Sequence, residues 1–263
     1  MATITHKPGD LQPKKRKVYY PTGDGKPMAE TVQHRDLMIY AIPALQLHFA
    51  HRPDVHISGN DFLYYEEGIP SRRISPDCYV VFGVEKTKPR PFYKVWEENG
   101  ITPAVVFEFT SKKTRREDEV KKSALYEGAL HIQEYFQFDP TGDYLTPRLQ
   151  GKRLQNGRYE KIALQNDRMY SEQLGLDLVI LGQDLRFYDP LKGEWLLTIQ
   201  EQTRRAEDAQ QEATIALQRV AAESRRAEAE ARRAEAETRR AENAEAELAR
   251  LRAELEALRR QRP

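Results

Sequence analysis

The stretch PAVVFEFTSKKTRREDEVKKSALY, residues 103–126, decides how this chain folds. Its first part, Ala104 to Thr110, is nearly continuous in apolar residues, the pattern of a central strand buried on both faces. A single acid, Glu108, interrupts it. From Lys112 to Gly128 a basic amphipathic segment follows, read as a helix that stops at the glycine. A carboxylate in a buried strand is costly unless it is paired or holds a cation, so Glu108 is expected to have work to do. Upstream, SPDCYVV at 75–81 places a second acid, Asp77, after Pro76 at the mouth of a strand that runs through Phe82 and ends at Gly83. The pieces are two acids on strands that can be neighbours and a lysine on the next helix.

Working outward, GALHIQEYFQFDP (128–140) reads as a short connection and a strand ended by Asp139-Pro140. A strand–helix–strand crossover implies at least one parallel pair. Phe62–Tyr65 reads as a strand and 86–102 as a loop. Residues 28–51 have a helix-like apolar distribution containing Pro43, consistent with one kinked helix or with two meeting near Ile42. Residues 141–198 carry shorter alternating runs with turn signals, expected to be hairpins that widen the sheet. The fold class expected is α/β: an α+β mixed sheet flanked by helices, followed by a long C-terminal α-helical coiled coil.

That tail begins where composition changes to Ala, Glu and Arg, near residue 200. Positions 206, 213, 220, 227, 234, 241, 248 and 255 are Ala, Ala, Val, Ala, Ala, Ala, Leu and Leu. Ala209, Ala216, Ala244, Leu251 and Leu258 keep the seam three residues on, while Glu223, Glu230 and Glu237 interrupt it. Two readings stand: a homodimer or higher homo-oligomer through 206–258, and a solitary helix held by Glu–Arg pairs one turn apart. The domains expected are an extended basic arm at 1–27, a globular domain at 28–198 and the helix at 199–263. Within the arm, PKKRKV (13–18) reads as an import signal, a phosphate-touching segment or a solvated charge run. A net charge of +1 excludes a global basic field, and the lone Cys78 excludes a disulfide framework and a cysteine zinc site. No apolar run is long enough to span a membrane, so a cytoplasmic protein is expected.

Two carboxylates converging on one point repel unless a cation lies between them. Mg²⁺ is the natural candidate, with Mn²⁺ also able to serve, because it takes oxygen ligands, keeps waters and bridges to phosphate. Asp77 and Glu108 would hold it, and the carbonyl of Phe109 offers a further ligand. Lys122 would orient or polarise the attacking water, with Lys121 as an alternative, and Tyr126 lies one turn along the same face. Glu30 and His34, one turn apart on the first helix, are candidates to face the acids. Plainer roles compete: a turn cap for Asp77, an arginine partner for Glu108, Asp118 as the partner of Lys122, and a helix-dipole role for Glu30.

Pro76-Asp77, then Glu108-Phe109-Thr110-Ser111, then Asp118, Lys122 and Tyr126 at four-residue spacing, then Glu134-Tyr135 closing on Asp139-Pro140 resemble the Uma-two family of restriction endonucleases, within the PD-(D/E)xK nuclease superfamily. The resemblance covers about residues 28–190 and includes Met28-Ala29-Glu30-Thr31 with His34. It implies a restriction-endonuclease-like fold and hydrolysis of DNA phosphodiester bonds, with Mg²⁺ at Asp77 and Glu108 and Ser111 in support. The superfamily's lysine normally lies two residues after the second acid, where this chain has Thr110; here it is similar to a lysine moved to the helix, Lys122. The function expected is therefore a metal-dependent endonuclease, the alternative being a nuclease-fold scaffold or nucleic-acid-binding protein with little or no activity.

Overall fold

The computed structural model describes residues 18–22, 32–110 and 117–260. Glu30, Ser111 and the basic run at 14–17 lie outside these residues. The chain divides into two compact units between Ile199 and Gln200.

The first unit opens with α1 (Val32–His48), one continuous helix with Pro43 inside it. Proline leaves the carbonyl four residues back without its helical donor, and that residue, Ile39, is exposed, so water can take the place of the lost bond. The strands β1 (Val55–Ser58), β2 (Leu63–Tyr64), β3 (Arg73–Ile74), β4 (Cys78–Phe82) and β5 (Tyr93–Lys94) follow. Of these, β1, β3 and β5 were not expected from the sequence, being short and flanked by turn residues. A 3₁₀ turn at Val95–Glu98 leads to β6 (Val105–Phe109). Next come a π-helical turn (Glu117–Lys122), α2 (Ser123–Gly128) and β7 (Glu134–Phe138). The rest of the unit is β8 (Leu149–Gln155), β9 (Arg158–Ile162), β10 (Arg168–Ser171), β11 (Leu176–Leu181), β12 (Asp184–Asp189) and β13 (Glu194–Trp195).

The main sheet has the order β1-β4-β6-β7-β8-β9, with β6 and β7 parallel and the remaining pairs antiparallel. The crossover through α2 thus produces the expected parallel pair. Asn156 and Gly157, both at positive φ, make the tight turn that folds β9 back on β8. Only these two strands widen the sheet as expected of residues 141–198. The others, β10 to β13, form a separate four-stranded antiparallel sheet.

Both faces of the main sheet are covered, which is why all five residues of β6 are buried. On one face Val105, Phe107 and Phe109 pack with Phe136 and Phe138, the apolar side of α1 and Leu178 and Phe187 of the second sheet. On the other, Val106 packs with Tyr79, Tyr126, Leu130 and Tyr135. Gly151 permits close approach on the first of these faces: a Cβ would stand 2.4 Å from Met169 Sδ and 2.9 Å from the Phe136 ring.

Glu134, fully buried on β7, ties the two sheets together. It receives Arg153 Nε at 2.9 Å, the Ser171 hydroxyl and the Glu172 amide at 3.0 Å. This acid, part of the sequence resemblance, serves as a structural lock in the fold.

The second unit is carried by α3 (Ile199–Arg260), 62 residues long, about 93 Å of helix. No helix among the described residues is long and apolar enough to cross a membrane.

Candidate active site

The antiparallel register of β4 on β6 pairs Tyr79 with Val106 and Cys78 with Phe107. One step further along the same ladder brings Asp77 alongside Glu108. Cross-strand partners in an antiparallel pair point to the same face, so the two acids emerge on one side of the sheet. On the other side of Asp77 the chain passes close after β1, where a Cβ on Gly59 would stand 2.0 Å from the Asp77 carbonyl oxygen. The neighbouring Asn60 amide donates to the Pro76 carbonyl at 2.8 Å and fixes the entry to β4.

Each acid is held from a different side. His34, delivered by α1, sets Nε2 3.0 Å from Asp77 Oδ2, and its ring meets Phe109 edge-on. The Phe109 amide donates to the same Asp77 oxygen at 2.6 Å. The backbone of Phe109 is thereby engaged through its N–H, whereas the sequence pointed to its carbonyl.

Glu108 is 1 % exposed. Both its oxygens are engaged by the helical segment after β6: Lys122 Nζ donates to Oε2 at 2.7 Å and the Tyr126 hydroxyl to Oε1 at 2.6 Å. Lys122 and Tyr126 are four residues apart and so share a helix face, which lets both reach one carboxylate. Burial, and after it the Glu108 charge, push the Tyr126 hydroxyl well above the usual phenol range, so it remains a donor. Tyr126 therefore holds Glu108. The arginine partner considered for Glu108 is replaced by Lys122. Lys121, the alternative lysine, is exposed.

Two residues not singled out as candidates from the sequence join this face. Gln137 on β7 is in register with Glu108, and Thr110 follows Glu108 by two residues. Both are buried, and Gln137 Nε2 and Thr110 Oγ1 have no hydrogen-bond partner among the described residues. A glutamine within the otherwise aromatic Tyr135–Phe138 run was the signal in the sequence. Buried polar atoms without partners beside two carboxylates fit a site that takes up a hydrated cation and an oxygen-rich ligand. Among the described residues no three His, Cys, Asp or Glu side chains cluster to hold a metal ion. Two carboxylates supplemented by neutral oxygen ligands and water suit Mg²⁺ or Mn²⁺ better than a tetrahedral zinc site. Cys78, beside Asp77, is fully buried, and burial followed by the Asp77 charge raises its thiol far above the ordinary range, so it acts as a small core residue.

No curated protein matches the chain. Among solved structures, it is similar to the crystal structure of "a putative nuclease belonging to DUF820 from Anabaena variabilis ATCC 29413", with 13% identity and a TM-score of 0.41, covering 57% of this chain and 76% of that one. The sequence pattern of the Uma2 family, described as "Putative restriction endonuclease", matches residues 10–182. That span takes in both acids, the helical lysine and the strands that bring them together, and the chain belongs to the Uma2 family of restriction-endonuclease-like proteins.

Proposed function

We propose that this protein is a metal-dependent endonuclease that hydrolyses DNA phosphodiester bonds at the Asp77–Glu108 site. The adjacency of the two acids through the β4/β6 register, with Lys122 2.7 Å from Glu108, carries the reading. Asp77 and Glu108 would hold Mg²⁺ or Mn²⁺, which when bound neutralises charge at the scissile phosphate. His34 and the Phe109 amide keep Asp77 aimed into the site, and Tyr126 does the same for Glu108. Lys122 brings an ammonium to the point where a water attacks in line with the leaving 3′ oxygen. There it orients the water and offsets the charge that builds on phosphorus. Gln137 and Thr110 offer polar atoms to the same water or to phosphate oxygens. Glu30 and Ser111 complete the candidate set through the family resemblance, and Lys121 is the reserve lysine.

In this reading residues 28–198 carry the activity in the cytoplasm, and residues 206–258 pair protomers so that two sites can address two strands. A second reading is favoured by one observation: both Glu108 oxygens are already engaged, so a cation must displace or share Lys122. A protein unable to make that exchange would bind nucleic acid without cutting it.

Supercoiled plasmid incubated with the purified protein in Mg²⁺, Mn²⁺ or EDTA separates the two. Cation-dependent nicking that falls about 100-fold or more in Asp77→Asn and in Lys122→Met supports the enzyme. Retention of plasmid on the protein without nicking in any cation supports the binding module.

A further inference from the structure

The apolar residues of α3 are not evenly distributed. Its middle repeats an Arg-Arg-Ala-Glu unit at 225–228, 232–235 and 239–242, which places Glu228 four residues before Arg232 and Glu235 four before Arg239. Glu followed by Arg one turn later supports an isolated helix, so this part needs no partner. The end is different. Leu248, Leu251 and Leu255 form one seam and are 49%, 58% and 51% exposed. Leu258 continues the same spacing in the sequence.

The flanks of that seam identify what covers it. With Leu248 and Leu255 at the first position of each heptad, the positions just before them are Glu247 and Glu254, and those just after Leu251 and Leu258 are Arg252 and Arg259. In a parallel pair each leading flank position faces the trailing one five residues on in the partner. Glu247 then meets Arg252 of the second copy, and the sequence repeats the same signs at 254 and 259. Antiparallel pairing of the two leucine heptads would set glutamate on glutamate and arginine on arginine.

Resting on the reading of residues 206–258 as a pairing helix, we infer that α3 docks onto a second copy of this chain, parallel and in register, through the leucine tip 248–258 alone. The Arg-Arg-Ala-Glu segment is a self-supporting stretch of the same helix.

Sedimentation and light scattering on the full chain, with three variants, test this. The wild type has the mass of two 30.5 kDa chains, and Leu251→Glu that of one. Leu255→Cys, in a protein whose own cysteine is fully buried, closes an intermolecular disulfide on mild oxidation, because this position meets itself only in a parallel pair. Arg252→Glu weakens association about tenfold, and adding Glu247→Arg to the same chain restores it. A wild type with the mass of one chain overturns pairing altogether. A dimer that neither links through Cys at 255 nor responds to Arg252→Glu keeps the pairing helix and overturns the parallel tip. Either result is independent of whether the protein cuts DNA.

Discussion

Lys122 and Glu108 form an ion pair 2.7 Å long between the helical segment after β6 and the strand itself, closing the second face of the sheet over a carboxylate that is otherwise sealed from water. The lysine side chain is itself only 15% exposed. Removing one partner of such a pair leaves a buried charge with too few donors. Lys122→Met is therefore expected to cost about 3 kcal/mol of unfolding free energy, near the low end of the range because Tyr126 still donates to Glu108. Urea titration measures this. Mg²⁺ should raise the melting temperature of the variant more than that of the wild type, since no ammonium competes for Glu108; equal shifts would count against Glu108 as a cation ligand.

Gln137 separates stability from activity. Its amide nitrogen is buried without a partner among the described residues, so Gln137→Met should leave stability unchanged or raise it by about 1 kcal/mol. If the amide contacts water or phosphate in the working complex, the same variant should lose nicking activity by about tenfold or more. A melt beside a plasmid assay is enough, and a variant that loses both properties together would assign Gln137 a packing role.

Gly59 permits the Asp77 backbone to pass where a methyl group would collide with its carbonyl. Gly59→Ala should destabilise the fold by about 2 kcal/mol and displace Asp77, so activity falls further than in other variants of equal stability. Comparison with Gly151→Ala, whose collision is with Met169 and Phe136 and involves neither acid, distinguishes loss of the site from general loss of packing.

Acid stability should depend on His56, on β1 between the rings of Tyr79 and Tyr93. Burial, then the nearby Arg90, lower its pKa to about 4 against the opposing pull of Glu98. Above pH 6.5 it is neutral in both states. As pH falls from 6.5 to 4 the unfolded chain takes up a proton that the folded chain refuses, so stability falls across that window and the effect levels off below it. The loss is about 2 kcal/mol once partial exposure and solvent screening are allowed for. His56→Leu should flatten the dependence of the urea midpoint between pH 7 and 4.5, leaving the smaller slope of His48, whose pKa burial also lowers.

The parts of the fold legible in the sequence are those where one periodicity dominates. A nearly continuous apolar run announced β6, the glycine at 128 ended α2, and seven-residue spacing marked α3. The proximity of Asp77, Glu108 and Lys122 was legible because strand alternation and helix spacing each limit where a side chain can go. The second sheet was not. Its strands alternate as a widening hairpin would, and only Glu134 with Arg153 and Ser171, far apart in sequence, pins it across the first sheet. What escaped was that Lys122 and Tyr126 both close on Glu108 itself, in place of the arginine considered for it. That depends on the geometry of the turn at 117–122, which is π-helical rather than α-helical. His56 was missed with its short strand, and the signal of Gln137, one amide in an aromatic run, gained its meaning only from the register that sets it beside Glu108.

The pairing of Cys78 with Phe107 has a meaning for how the protein becomes competent. A slip of one residue between β4 and β6 would send Glu108 to the opposite face and strip Asp77 of its neighbour, while leaving both strands rich in apolar contacts. Collapse alone would tolerate that error. A cation needing both acids would not, so its binding energy would act as a proofreading step on strand alignment, rewarding only the chain whose core and chemistry were assembled together.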